Sequence, residues 1–396
     1  MWINCYPVID GQSASSRLYN QNNNTREIRI YLQPDDSSPS PEDSPFSLIQ
    51  INEIRDMAYA ISTNPSITTL RLITLHSGDE YRNEARELAD GLILNQHITS
   101  LEFTAHEDEL DVIELLLDSL PRLTTVNSRL QFNAEAMELF GGFIHDRAFN
   151  MNGRTGITNL EMPMDEIGFL AFMRPWGNPP YNRFPTSLKM MEQNRDNHLP
   201  SITSLGWPMI KHFLVSRNCP LTHLSIFSST FEHHIALTAM SAALQQNHTL
   251  TYLALWHVEF RPQTHLRQFQ GVLGDCEQIM ETYNANHTIQ SIELRQYQQP
   301  FQIHSIGLHF PSLSQLLEWN SNTAHRHFAR SRKILEYHFG VNLDVEKFKG
   351  MSESLLCHVT NFFEYAKRNG VDVEFVNQIQ RRFYFDMLYN GLLLPV

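Results

Sequence analysis

The sequence has few of the features that mark membrane, disulfide-bonded or zinc-binding proteins. Its four cysteines lie far apart with no C-x-x-C pair, which argues against a disulfide framework and favours a cytosolic or otherwise reducing compartment. No stretch approaches the ~18 apolar residues that span a bilayer, and the first residues lack the basic and apolar regions of a signal peptide. We therefore expect a chain with no transmembrane segment and no classical export signal.

Positive charge is also scarce. The 396 residues include 30 Lys and Arg against 43 Asp and Glu, a formal net charge of −13. Such a chain has no global basic field that would attract phosphate backbones, so we expect no nucleic-acid partner. Its apolar fraction of 42% is nevertheless sufficient for folding. The composition predicts two or three domains, or one long repeat array.

Recognisable catalytic and cofactor motifs are missing. The sequence contains neither the P-loop pattern nor G-x-G-x-x-G, and its 19 histidines form no H-E-x-x-H pattern. The pair His233 and His234, together with His223 and His257, invites a metal hypothesis, but adjacent histidines point in different directions. We expect no enzyme activity, no cofactor and no metal site.

One phrase recurs along the chain. An Asn or turn residue is followed after two or three positions by aliphatic residues in the pattern L-x-x-L-x-L, and neighbouring copies are 19 to 45 residues apart, with a mean of about 32. Clear copies follow Asn64, Asn95, Asn247 and Asn286, and weaker copies begin at Leu123, Ile157, Ile202 and Leu221.

Each phrase predicts a strand, and the segments between phrases predict helices because their apolar period changes from about two to about 3.6. Identical strand-helix units run their strands parallel and place every helix on the same side. Asn suits the junction from helix to strand because its amide can bond the carbonyls left free at a helix end. The pattern predicts an array in which neighbouring units share one core.

The phrase resembles the leucine-rich repeat, specifically its long ribonuclease-inhibitor-like class. The resemblance is best in the segments 85–103 and 239–255, and it covers roughly residues 25–320. It implies an α/β solenoid, or horseshoe, with a parallel concave sheet and convex helices. The irregular spacing and added ends are similar to leucine-rich-repeat effectors of Legionella-type intracellular bacteria.

Three regions follow from these patterns. We expect residues 1–45 to contain an N-terminal cap strand at 27–32 and a Pro/Ser-rich linker. We expect residues 46–305 to form the repeat array and residues 306–396 to form a helical C-terminal cap or domain. The segment 174–186 contains four prolines and predicts an irregular loop in which Trp176, Tyr181 and Phe184 are exposed and available for binding.

The positions between the buried aliphatics face out from the sheet and define the expected binding surface. Its early members are mixed and polar, and its later members are aromatic. The early ones are Arg71, Ile73, Glu102, Thr104, Asn127, Arg129, Asn159 and Glu161; the later ones are His223, Ser225, Phe227, Tyr252, Ala254, Trp256, Ser291, Glu293 and Arg295.

Phe227, Tyr252 and Trp256 are the strongest candidates for contact with a partner, because Trp, Tyr and Arg dominate binding energy at protein interfaces. The other interpretation is that the C-terminal helices or the loop at 174–186 cover these rings. The candidate partner-binding residues are His223, Phe227, Tyr252, Trp256, Glu293, Arg295, Trp176 and Tyr181.

These expectations indicate a non-enzymatic, monomeric scaffold that binds one host or bacterial protein, as a secreted effector delivered to the host cytoplasm. Two alternatives stay open. One is a regulator of an enzyme, such as a small-GTPase activator, and the other is a targeting module for an active C-terminal helical domain.

Overall fold

The computed structural model describes residues 2–4, 27–32, 51–74, 80–104, 107–129, 132–149, 154–177, 182–191, 207–216, 218–227, 234–256, 262–276, 279–295, 311–321, 326–334, 364 and 368. They form two compact units, the first made of 1–206 and 216–228 and the second of 207–215 and 229–396. This division falls inside the predicted repeat array, and the predicted boundary at 305/306 stays a prediction.

The first unit is an α/β layer of eight strands and five helices. The strands follow one another in chain order, and each pairs in parallel with the next. They are β1 (Trp2–Asn4), β2 (Glu27–Leu32), β3 (Thr69–Thr74), β4 (Ser100–Thr104), β5 (Thr125–Ser128), β6 (Asn159–Pro163), β7 (Ser187–Met191) and β8 (His223–Phe227).

The helices of the first unit connect successive strands, and each packs against the next helix along the chain. They are α1 (Ile51–Thr63), α2 (Glu80–Leu92), α3 (Leu110–Ser119), α4 (Ala134–Phe149) and α5 (Glu166–Met173), with 3₁₀ turns at Glu107–Glu109 and Arg174–Trp176. Helices α4 and α5 approach so closely that a side-chain carbon at Gly141 would collide with the backbone of Phe172.

The second unit contains α6 (Trp207–Val215), α7 (His234–Gln246), α8 (Pro262–Leu273), α9 (Ile279–Asn284), α10 (Pro311–Ser321) and α11 (Arg326–Lys333). Its strands β9 (Tyr252–Trp256) and β10 (Ser291–Arg295) pair in parallel. Helix α6 packs on α7, α7 on α8, and α10 on both α8 and α11.

The predicted strands are confirmed at seven of the eight phrases and at 27–32. The aliphatic residues of each phrase are buried because they alternate along the strand towards the helices. Examples from three successive strands are Leu70, Leu101 and Val126, each 0% exposed. The chain is therefore a solenoid-like α/β repeat, as the change of period indicated.

The prediction was wrong at two strands. The phrase at Ile202 is not the strand between β6 and β8, because β7 pairs with both of those neighbours; residues 192–206 themselves lie outside the described residues. The cap strand predicted at 27–32 was expected to open the sheet, yet β1 pairs with β2 and extends the sheet beyond it. Strand β7 begins 28 residues after β6, which is close to the period of the other repeats.

Asparagine closes several turns between helix and strand. The amide oxygens of Asn95, Asn247 and Asn286 accept backbone N–H groups two and three residues further on, at 2.7–3.1 Å. Their amide nitrogens donate to carbonyls at the ends of preceding helices, for example from Asn247 to Leu214 at 2.8 Å. The predicted role of the asparagine amide is confirmed, and it links each repeat to the one before.

The turn after α3 has no asparagine, and a cation takes its place. Arg147, 3% exposed on α4, donates to the carbonyls of Leu117, Leu120 (2.7 Å) and Leu123 (3.3 Å). Burial lowers the pKa of Arg147 to about 10, so the guanidinium stays charged at neutral pH. Its charge suits the negative end of the α3 dipole.

Candidate interaction surface

The sheet of the first unit presents two well-aligned rows of polar side chains on the face opposite its buried aliphatics. We call this face the outward face. Parallel pairing sets the side chains of one row directly beside each other. The first row holds Thr69, Ser100, Thr125, Asn159, Ser187 and His223, and the second holds Arg71, Glu102, Asn127, Glu161, Lys189 and Ser225.

Ion pairs connect the second row. The Glu102 carboxylate accepts from Arg71 at 3.1 Å and from Arg129 at 2.7 Å, so two guanidinium groups share one carboxylate oxygen. Further along, Lys189 lies 2.7 Å from Glu161. The three-residue group leaves one positive charge in excess, at a position where 45% of the Arg129 side chain is exposed.

Lys189 of the second row also contacts Phe227, one of the predicted aromatic residues. The Lys189 ammonium lies 5.3 Å from the centroid of the Phe227 ring, which is within the range of a cation–π contact. Phe227 is half-buried, and His223 on the same strand is exposed. Both therefore lie on the outward face, as the sequence predicted.

In the second unit, Tyr252 donates its hydroxyl to the Glu293 carboxylate at 2.6 Å. Both side chains are half-buried and lie on paired strands. Ala254 is fully buried, although its alternation places it on the same side as Tyr252. Trp256 and Arg295 lie in β9 and β10, but their side chains are outside the described residues. A shared aromatic surface of Phe227, Tyr252 and Trp256 stays a prediction.

The expectation of an exposed Trp176 and Phe184 is wrong, since Trp176 is 7% exposed and Phe184 is 3% exposed. Trp176 lies within an aromatic cluster, its ring centroid 5.0 Å from that of Phe184 and 5.2 Å from that of His145. Phe184 in turn contacts Phe172 on α5, so the rings bury one another. Tyr181 lies outside the described residues. The proline-rich segment therefore contributes Trp176 and Phe184 to the core.

The sequence analysis did not include several residues of the outward face, and Lys189 is the charged one among them. Lys189 was not recognised because β7 was not predicted. A signal was present, since Pro185, Leu188 and Met190 follow the same spacing as the aliphatics of the other phrases. Proline and methionine at two of these positions made the copy look weaker than the phrase at Ile202.

The described cysteines show no sign of activation. Burial raises the pKa of Cys219 to about 11, and burial together with nearby Glu281 and Asp275 raises that of Cys276 to about 11. Thiols with such values are poor nucleophiles at neutral pH. In the residues that the structure describes, no three His, Cys, Asp or Glu side chains are grouped to hold a metal ion.

Two further findings bear on the class of protein. None of the helices in the described ranges is both long and apolar enough to cross a membrane. No protein-family model matches the chain, and no curated protein matches its sequence.

Proposed function

We propose that this chain is a leucine-rich-repeat scaffold of the ribonuclease-inhibitor-like class, with a horseshoe-shaped array and a helical C-terminal cap, that binds one protein partner. The sequence resemblance supports the class, and the ordered parallel strands are consistent with it. By the same resemblance, the scaffold is a bacterial effector that acts in the cytoplasm of a host cell.

The observation that carries the proposal is the outward face of the first unit. Six adjacent strands hold polar and charged side chains in register, and ion pairs fix several of them in place. Preorganised side chains lose less conformational entropy on binding, so such a surface suits recognition of another macromolecule.

The test compares two doubly substituted variants with the same change of charge. Arg129→Ser with Lys189→Ser removes cations from the outward face, whereas Arg86→Ser with Arg174→Ser removes exposed cations from helix α2 and from the turn after α5. Affinity capture from host and bacterial lysates with mass spectrometry should recover a partner with the wild type and with the helix-side variant.

We expect the outward-face variant to lose at least tenfold of that partner, because each removed charged contact costs about 1–3 kcal/mol. Equal recovery by both variants, with circular dichroism confirming that both are folded, would refute binding through this face.

The predicted aromatic residues are tested separately by Phe227→Ala, Tyr252→Ala and Trp256→Ala, one at a time. An aromatic anchor contributes roughly 2 kcal/mol or more, which is about a thirtyfold change in the dissociation constant. A variant that binds the captured partner as tightly as the wild type removes its residue from the binding surface.

A further inference from the structure

Helix α11 presents three basic residues on one face. Arg326, Arg330 and Lys333 are spaced by four and three residues, so their side chains lie in one row along the helix. The helix packs on α9 and α10. The three basic residues therefore lie on a helix that packs against α9 and α10 of the second unit.

Lys333 is the most deeply buried of the three. It is 0% exposed, and its ammonium donates to the carbonyls of Leu273 at 2.5 Å and Asn286 at 2.9 Å. These two carbonyls end α8 and close the turn before β10. Burial lowers the pKa of Lys333 well below its ordinary value, because the contacts are to dipoles rather than to a counter-charge.

His287 follows Asn286 in the same turn. Its ring is 4% exposed, and Nε2 lies 3.3 Å from the Tyr283 carbonyl, while Nδ1 has no hydrogen-bond partner among the described residues. The guanidinium of Arg330 lies 4.2 Å from the centroid of the Tyr283 ring. The histidine thus contacts Tyr283, whose ring Arg330 also contacts, and follows Asn286, whose carbonyl accepts from Lys333.

The surroundings of His287 oppose its protonation. Burial lowers its pKa well below 6.5, and the charges of Lys333 and Arg330 lower it further. His248, the equivalent residue of the preceding Asn-His-Thr turn, has its pKa lowered by burial and then by Arg326 and Arg330. The sequence therefore places one histidine in each of two turns under the basic row.

The carboxylates described near His287 and Lys333 influence other groups. Glu281 on α9 and Asp275 between α8 and α9 act on the thiol of Cys276, which itself faces Lys333. Glu318 on α10 is exposed. Within the described ranges, no carboxylate is among the groups that shift the pKa of His287 or Lys333.

We propose that α11 is a proton-sensitive latch, in which protonation of His287 between Arg330 and Lys333 releases the helix from α9 and from the turn at Asn286. Among the described residues, no carboxylate offsets a third positive charge in this buried volume, and undocking returns all three groups to water. Release exposes the basic row of α11 and the end of the repeat array together. The latch does not depend on the identity of any partner of the outward face.

The direction of the pH dependence follows from the lowered pKa of His287. The docked state is favoured at full strength above about pH 6.5, and that advantage is lost as the pH falls towards the lowered value. One extra proton in the undocked state makes opening about tenfold more favourable from pH 7.5 to 5.5.

Hydrogen exchange with mass spectrometry on the full chain tests the latch. After correction for the intrinsic exchange rate at each pH, the opening constant of 326–334 and 279–290 should rise about tenfold from pH 7.5 to 5.5. The segment 110–119 of the first unit should not change. A rise below twofold in the wild-type segments would overturn the proposal without any substitution.

His287→Gln sharpens the test, since the glutamine amide can keep the bond to the Tyr283 carbonyl and cannot titrate. We expect its acid-induced opening to be about tenfold smaller than that of the wild type. His212→Gln, on the exposed face of α6, is the matched control and should open like the wild type. Equal opening in the wild type and His287→Gln would show that His287 is not the proton sensor.

Discussion

Carbonyl groups at the ends of two helices are bonded by different kinds of side chain. The turn after α7 uses Asn247, whose amide bonds its own turn and the carbonyl of Leu214, while the turn after α3 uses Arg147 from the following helix. Both satisfy carbonyls that a helix end leaves free. In both cases the donor comes from a later part of the chain, since Asn247 lies 33 residues after Leu214 and Arg147 lies 27 residues after Leu120. The difference is that one donor is a neutral amide and the other is a cation.

The comparison extends to the ends of other helices. Arg183 donates to the carbonyls of Ala148 at 3.1 Å and Phe149 at 3.3 Å, which end α4. Lys333 donates to Leu273, which ends α8. A cation from a later segment is thus a recurrent substitute for asparagine, and it ties distant parts of a unit together.

The largest expected loss of stability follows substitution of Arg147, which bonds the carbonyls at the end of α3. Arg147→Met keeps much of the side-chain volume but removes the guanidinium bonds to the carbonyls of Leu117, Leu120 and Leu123, so we expect a loss of about 3–5 kcal/mol in the free energy of unfolding. Urea denaturation followed by circular dichroism measures it. Arg122→Met, at an exposed residue, is the control and should lose less than about 0.5 kcal/mol. A loss below about 1 kcal/mol at Arg147 would mean that water replaces the guanidinium.

Substituting the asparagines of the turns should cost less stability than substituting Arg147. The loss in the free energy of unfolding should be larger where the asparagine is more buried. Asn247→Ala removes bonds to Leu214, Thr249 and Leu250 from a residue that is 2% exposed, at a cost of about 3 kcal/mol. Asn64→Ala removes one bond, to the N–H of Ser66, from a half-buried residue and should cost about 1 kcal/mol. The same denaturation experiment ranks them, and equal losses would contradict a role for the link between repeats.

The smallest effect is expected on the outward face. Glu102→Gln keeps the shape of the side chain and removes the charge between Arg71 and Arg129, which should cost only about 0.5–1 kcal/mol because partly exposed ion pairs are screened by solvent. Raising the ionic strength should shrink the difference between the two proteins. A loss as large as that of Arg147→Met would give this face a structural role that its exposure does not suggest.

Most strands were predictable because their buried aliphatics recur at fixed spacing. Strand β7 was not, since Pro185 and Met190 replace the usual residues and the nearby phrase at Ile202 fits the pattern better. Which segment becomes a strand depends on pairing with β6 and β8, and that pairing is a tertiary property. The outward positions of Glu102 and Phe227 followed from alternation once the strand was recognised.

The candidate residues in irregular segments were less predictable. Trp176 follows Pro175 in a proline-rich segment, a context typical of exposed loops, but its burial depends on His145 from α4 and on Phe184. The sequence analysis did not single out Arg147. Nothing in its neighbouring residues indicates the four carbonyls that it bonds, which belong to Leu117, Leu120, Leu123 and Thr155.

The amino-acid pattern by itself determined that strands and helices alternate, that the strands are parallel, and which side chains face away from the aliphatics, because these properties depend on local periodicity. Only the tertiary structure decided that cations close the ends of α3, α4 and α8, that Trp176 is buried, and that His287 lies beneath α11. Each of these contacts joins residues distant in the chain. Their energies depend on burial, which arises only when the helices and strands of each unit pack together.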